Sequence, residues 1–192
     1  MESSEQGTPM IDDSASASAT ENLQVRIEAA LLTTDQPLAA SKLSDAMDKV
    51  GIAAVKVAVD ELNQLYEKTS RSFRIKRMAN GYQIATLPEF ADVLSGLHKS
   101  RQQTKLSPAA LEALAIIAYK QPILRSDIEA VRGVASGEVI RGLMERNMVK
   151  IAGRAEELGR PMLYGTTKKF LEVFGLADLK DLPTVDQLKG GS

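Results

Sequence analysis

The stretch that most constrains the fold of this chain runs from residue 106 to residue 183. Its densest apolar segment, LEALAIIAY, is followed by QPI, by the amphipathic segments RSDIEAVRGV and GEVIRGLMERN, and by MVKIAGR and GRPMLYGTT. The order predicts a helix, a short strand, two helices and a β-hairpin, which is a winged helix. The side chains predicted to line the buried face of its first helix are Leu111, Leu114, Ile117 and Ala118.

The upstream half of the chain repeats this order more weakly. Gln36-Pro37-Leu38 corresponds to Gln121-Pro122-Ile123, and Ser41, a predicted helix N-cap, corresponds to Ser126. Asn80-Gly81 predicts the tip of a hairpin in the first copy. The offset between the copies drifts from 85 residues at Gln-Pro to 80 at the last helix, as expected for a duplication with small loop indels. The predicted fold class is mainly α (α+β), with two tandem winged-helix domains of three helices plus a hairpin wing each.

The composition along the chain predicts where these domains begin and end. Residues 1–20 carry four acidic and no basic side chains and predict a disordered acidic tail, with structure starting at Glu21. An N-terminal domain is expected over residues 21–95 and a C-terminal domain over 106–179. The polar, basic residues 96–105 are the predicted linker, and residues 180–192 a C-terminal tail.

The bulk composition excludes several classes of protein. A hydrophobic content of 44% is enough for a core, and the absence of Cys excludes disulfides and thiolate sites. The N-terminus has neither the basic start nor the apolar segment of a signal peptide, and the apolar runs are too short to span a bilayer. We therefore expect a cytoplasmic protein without a membrane partner.

No arrangement of residues in the sequence indicates catalysis. Neither GxxxxGK[ST] nor GxGxxG occurs, and the only histidine, His98, falls in the predicted linker. Glu156 and Glu157 are neighbours in an extended segment, so their side chains point in opposite directions. We predict no catalytic residue, no metal site, no cofactor, no small-molecule substrate and no enzymatic activity.

DNA binding is the alternative that a winged helix raises. The predicted outward positions of the two third helices mix acids with bases, which is unfavourable against phosphates. These positions are Lys56, Asp60, Asn63 and Glu67 in the first copy, and Glu138, Arg141 and Glu145, with Arg146 nearby, in the second. Residues 21–103 hold 11 basic and 10 acidic side chains, and residues 104–179 hold 11 and 9. Two nearly neutral winged helices favour protein binding over DNA reading.

One local feature favours a DNA-binding transcriptional regulator instead. Four basic residues cluster on the predicted first hairpin, where a wing contacts phosphates. They are Arg71, Arg74, Lys76 and Arg77. A solvated strand face is the alternative interpretation of the same cluster.

Particular strings of the second half resemble the bacterial segregation and condensation protein B family. They are LSPAALEALAIIAYKQPILRSDIEAVRGV, ERNMVKIAGR and GRPMLYGTTKKFLEVFGLADLKDLP; in the first half, RIEAALLTTDQPL and GYQIAT match more loosely. The resemblance covers roughly residues 21–183. It implies two winged-helix domains, a homodimer formed largely through the N-terminal domain, and no catalytic activity.

The resemblance also implies a role and partners. Members of the family bind the central segment of the kleisin ScpA, which bridges the SMC ATPase, and act in chromosome condensation and segregation during cell division. The implied location is the cytoplasm, associated with the nucleoid, with any DNA contact weak or indirect.

Five residues within the matching strings are candidate kleisin contacts, because Arg and Tyr are favoured interface anchors. They are Arg125, Arg132, Arg154, Arg160 and Tyr164. An alternative for Arg132 and Arg160 is that they brace the hairpin by pairing with nearby carboxylates.

Overall fold

The first helix, α1 (Asp13–Leu32), begins earlier than the sequence predicted. The computed structural model describes residues 13–97 and 106–184. Residues 13–20, predicted to be disordered, are helical, and alternate alanines from Ala15 to Ala19 favour this because Ala has the highest helix propensity. Of the other residues in the predicted tails and linker, 96–97 and 180–184 are described, whereas residues 1–12, 98–105 with His98, and 185–192 lie outside the described residues.

The next elements build the first hairpin and the helices beneath it. They are α2 (Ala40–Ala46), α3 (Ile52–Lys68), β1 (Phe73–Met78) and β2 (Gly81–Thr86). The predicted stripe of α3 is confirmed: Val55, Val59, Leu62 and Tyr66 are all buried. The predicted N-cap of α2 is wrong. The helix begins one residue before Ser41, and Ala39 occupies the cap position with no side-chain hydrogen bond.

The first hairpin turns one residue earlier than predicted. Ala79 and Asn80 have φ values of 48° and 62°, and Gly81 already belongs to β2. Two successive positive φ values are typical of the tight turn that matches strand twist. Within β1, the Ile75 carbonyl accepts from the Asn63 amide (2.9 Å), and the Ile75 N–H donates to the Asn63 side-chain oxygen (2.8 Å). The outward position that the sequence predicted for Asn63 is therefore wrong. Its side chain is half-buried against the strand.

The remaining elements are one short helix that follows the first hairpin, α4 (Ala91–Leu97), and the second winged helix, which begins at α5 (Pro108–Lys120). The elements after α5 are β3 (Ile123–Leu124), α6 (Arg125–Arg132), α7 (Gly137–Glu145), β4 (Val149–Arg154), β5 (Met162–Thr166) and α8 (Lys168–Phe174). Ser107 caps α5 as predicted: its hydroxyl accepts from the Ala110 N–H, and Pro108 occupies the first turn. The three strands form an antiparallel sheet in the order β3-β5-β4.

The fold class is confirmed: the chain carries two tandem winged helices. Both halves run helix, extended segment, two helices and hairpin. The core of the second forms where α5 meets α6 and α7, at Leu114, Ile117, Ile128, Ile140 and Leu143. Leu111, predicted to be buried, is half-exposed in the first turn of α5.

The chain divides into two compact units, and the tip of the first hairpin belongs to the second of them. The first comprises residues up to Ile75 together with Gln83–Thr86; the second comprises Lys76–Tyr82 and the residues from Leu87 onward. Backbone bonds explain why the hairpin tip belongs to the second unit. The Ala79 N–H donates to the Leu176 carbonyl (2.8 Å), and the Ala79 side chain is buried in the core of this unit.

Candidate interaction surface

Two of the five candidate contacts, Arg125 and Arg132, lie in a polar network around the turn from α6 to α7. The Arg132 guanidinium donates to the Glu112 carboxylate (3.1 Å) and to the Ser136 hydroxyl (2.9 Å). The Glu129 carboxylate accepts from the Ser136 N–H (2.9 Å) and lies 3.4 Å from Arg125. Ser136 itself is fully buried. The network ties α6, α7 and α5 together.

The two arginines of this network differ in exposure. The Arg132 side chain is 4% exposed, whereas the Arg125 side chain is 60% exposed. Arg132 thus pairs with a carboxylate, as one alternative held, but the partner Glu112 belongs to α5 and not to the hairpin. Its position supports a bracing role, while Arg125 keeps a guanidinium in reach of solvent.

The other three candidates all lie on the hairpin of the second unit, residues 149–166, which we call the wing. Arg154 ends β4 and donates to the carbonyl of Arg160, at 3.1 Å, across the wing tip. Arg160 is exposed and has a φ of 43°. No ion pair joins Arg160 to a carboxylate within residues 13–97 and 106–184. Tyr164 is half-buried in the middle of β5.

One side of the wing is apolar and accessible, which the sequence did not predict. Ile151 pairs with Tyr164, and Arg154 pairs with Met162, so these four side chains share one face. At its root the same face carries Val149 opposite Thr166, both buried. Towards the tip, however, Ile151 is 45% exposed and Met162 is 38% exposed. We call the outer part, formed by Ile151, Arg154, Met162 and Tyr164, the wing face.

The tip of the wing adds another apolar side chain to the solvent-exposed surface. Leu158 is fully exposed in the turn that precedes Gly159. In the sequence, Leu158 lies between Glu157 and Gly159, so no apolar residue is adjacent to it. This apolar residue within a predicted polar turn is a feature of the sequence that the prediction of contact residues did not use.

The basic cluster of the first hairpin is partly occupied by internal contacts. The Arg74 guanidinium donates to the carbonyls of Arg71 (2.8 Å) and Phe73 (2.7 Å). Arg77 lies 3.8 Å from the Asp178 carboxylate. Lys76 is exposed. Arg74 and Arg77 therefore have protein partners, and the carboxylate of Asp178 offsets the charge of Arg77 that a phosphate could meet.

A cleft of about 410 Å³ in the first unit holds a buried tyrosine. The Tyr66 hydroxyl donates to the Glu28 carboxylate at 2.8 Å, and its ring contacts Phe73 edge-on with centroids 4.9 Å apart. Burial raises the pKa of Tyr66 above its usual range, and the hydrogen bond to Glu28 raises it further. Nearby Arg71 opposes the shift.

We expect Tyr66 to make the stability of the first unit fall at alkaline pH. A phenol whose pKa is raised by folding stabilises the native state fully below its unfolded pKa of about 10, and this contribution is lost as pH rises further. The free energy of unfolding of the wild type should therefore decline above pH ~10 by up to about 1.4 kcal/mol per pH unit relative to Tyr66→Phe. Urea unfolding of both proteins from neutral to alkaline pH measures the difference; parallel curves would contradict the assignment.

Neither a metal centre nor a membrane helix is found in the part of the chain that the structure describes. Within it, no three His, Asp or Glu side chains are placed to hold a metal ion. No helix there is both long and apolar enough to cross a bilayer.

The match to known families decides the relationship of this chain. The family model described as segregation and condensation complex subunit ScpB matches residues 25–185. The chain belongs to the ScpB family. It is 45% identical over 168 residues to a segregation and condensation protein B of Syntrophotalea carbinolica, which covers 88% of this chain and 84% of the relative.

Two solved structures of ScpB proteins resemble this chain, both with low TM-scores. ScpB of Mycobacterium tuberculosis is 30% identical, and the match covers 82% of this chain and 97% of that one, with a TM-score of 0.39. A dimer of a ScpB N-terminal domain complexed with a ScpA peptide is 23% identical over 42% of this chain and 92% of its own, also with a TM-score of 0.39. Scores this low carry no argument about the surfaces of this chain.

Proposed function

We propose that this chain is a non-catalytic subunit of the bacterial SMC–kleisin complex and, as a homodimer, binds the central segment of the kleisin ScpA. The observation that carries the proposal is the family match over residues 25–185, since the family is described as a complex subunit. In this role the chain takes part in chromosome condensation and segregation. It acts at the nucleoid in the cytoplasm and reaches the SMC ATPase and DNA through the kleisin.

We further propose a division of labour along the chain. Residues 21–95 form the dimer, and residues 106–179 bind the kleisin. Support for the second assignment comes from the wing, which presents Ile151, Met162 and Leu158 to solvent beside exposed Arg154 and Arg160. Apolar and Arg side chains together are typical of protein interfaces.

The exposed helices do not favour the alternative DNA-binding role. On α7, Arg141 pairs with Glu145 at 3.2 Å, so its outward surface is close to neutral. In the basic cluster of the first hairpin, Arg74 and Arg77 contact internal partners.

Calorimetric titration of the full chain tests the proposal. The central fragment of the same organism's kleisin should give saturable binding, and a short DNA duplex of mixed sequence at physiological salt should give none. Binding to the duplex with a steep loss of affinity on adding salt, and none to the kleisin fragment, would contradict it.

A further inference from the structure

We infer that the wing face binds an amphipathic, acidic segment of the kleisin, with its apolar residues on Ile151 and Met162 and a carboxylate on Arg154. This inference rests on the proposed function and specifies where and by what chemistry the partner is held. The strand register supplies the geometry. Tyr164 and Met162 are two residues apart on β5, and Ile151 and Arg154 stand opposite them on β4.

The wing face is continuous with the core but not covered by it. Its root, Val149 and Thr166, is buried, and Tyr164 packs against the core cluster. Ile151 and Met162 extend the same apolar strip outward at about half exposure. Because the strip is anchored in the core, its side chains lose little conformational entropy when a partner binds, and this favours affinity.

The charges around the strip determine the chemistry of its partner. Lys150, Arg154 and Arg160 are exposed on the wing, against Glu156 and Glu157 at the tip turn. None of these five side chains forms an ion pair with any residue of the described ranges. Arg154 shares the wing face with the apolar strip, so a segment lying along the strip meets a cation at its distal end.

The same charges argue against a second copy of this chain as the occupant. A two-fold contact between identical wings places the same patch on both sides and brings arginines together. Like charges at an interface oppose association, whereas an acidic partner is attracted. An acidic segment of the kleisin therefore fits the wing face better than another wing.

The test compares matched variants of the full chain in titrations with the kleisin central fragment. Ile151→Ser with Met162→Ser is expected to raise the Kd at least tenfold, and so is Arg154→Glu alone. The controls are Leu111→Ser with Val173→Ser, which change side chains 46% and 47% exposed on α5 and α8, and Arg141→Glu on α7. These should leave the Kd within twofold. Thermal unfolding of each variant checks that the fold is kept.

Salt dependence separates the charge from the apolar contact. The affinity of the wild type should fall as salt increases, and Arg154→Glu should flatten that dependence, while the Ile151/Met162 variant should keep it. If the wild type binds the fragment and the wing variants bind as tightly as the controls, the inference is overturned and the proposed function stands. If the wild type does not bind the fragment, both are overturned.

Discussion

Replacing Arg132 with alanine is expected to lower the free energy of unfolding by about 2–3 kcal/mol, because it removes a buried hydrogen-bonding side chain. The Arg132 side chain is 4% exposed, and its guanidinium donates to both Ser136 and Glu112. Most of the loss comes from Ser136 and from the packing of the Arg stem. The Glu112 carboxylate is 55% exposed, so solvent screens its ion pair and that pair contributes little.

Arg141 provides the matched control for this substitution. It makes an ion pair of similar length with Glu145, 3.2 Å, but both side chains are more than 60% exposed. Arg141→Ala should therefore change the free energy of unfolding by about 0.5 kcal/mol or less. Urea unfolding of both variants measures the contrast. If Arg132→Ala is as stable as Arg141→Ala yet binds the kleisin fragment more weakly, Arg132 is a contact and not a brace.

Replacing Gln121 with alanine is expected to cost about 2–3 kcal/mol of folding free energy and to loosen the root of the wing. The Gln121 carbonyl oxygen accepts from the Thr166 N–H at 2.7 Å, and its amide nitrogen donates to the Thr166 hydroxyl at 2.9 Å. Thr166 is buried, so its N–H would be left without an acceptor. The Gln121 side chain also packs closely against β5, since a Cβ on Gly165 would lie only 2.9 Å from Gln121 Oε1.

Hydrogen exchange measures this effect at the atom concerned. The Thr166 amide should lose protection in Gln121→Ala, and neighbouring amides of β5 should follow. Gln83→Ala is the control, because the Gln83 side chain also bonds a backbone group, donating to the Asp35 carbonyl at 2.7 Å, but at an exposed position. Thr166 protection equal to that of the wild type would show that Gln121 does not hold the strand.

The elements that could be predicted from the sequence depend on local or periodic signals. The buried stripe of α3 follows from apolar residues at helical spacing, such as Val55 and Val59. The cap of α5 follows from Ser107-Pro108, whose contacts lie within three residues. The order of elements in the second half needed no long-range information, so its winged helix was predictable.

The features that escaped prediction depend on residues far apart in the chain. Alternation along β4 places Ile151 on the same face as Val149, but it does not tell how far the core extends along that face. Asn63 turns inward because the backbone of Ile75, twelve residues on, offers both a donor and an acceptor. Arg132 braces because Glu112, twenty residues earlier, comes within 3.1 Å.

The same limit applies to the candidate contacts. Sequence reasoning selected arginines and a tyrosine by residue type, and three of the five lie on the wing. It did not select Ile151 or Met162, since an exposed apolar side chain is recognised only once its surroundings are known. The polar residues of the wing face could thus be predicted from the sequence, but its apolar residues and their arrangement could not.

Light scattering on a sizing column, with and without the kleisin central fragment, tests the central claim most directly. We expect the chain alone to run at twice its mass of 20.8 kDa and to shift, on addition of the fragment, to a single larger species of defined stoichiometry. A species of one chain mass whose elution the fragment does not change would contradict the account of this protein as a dimeric kleisin-binding subunit.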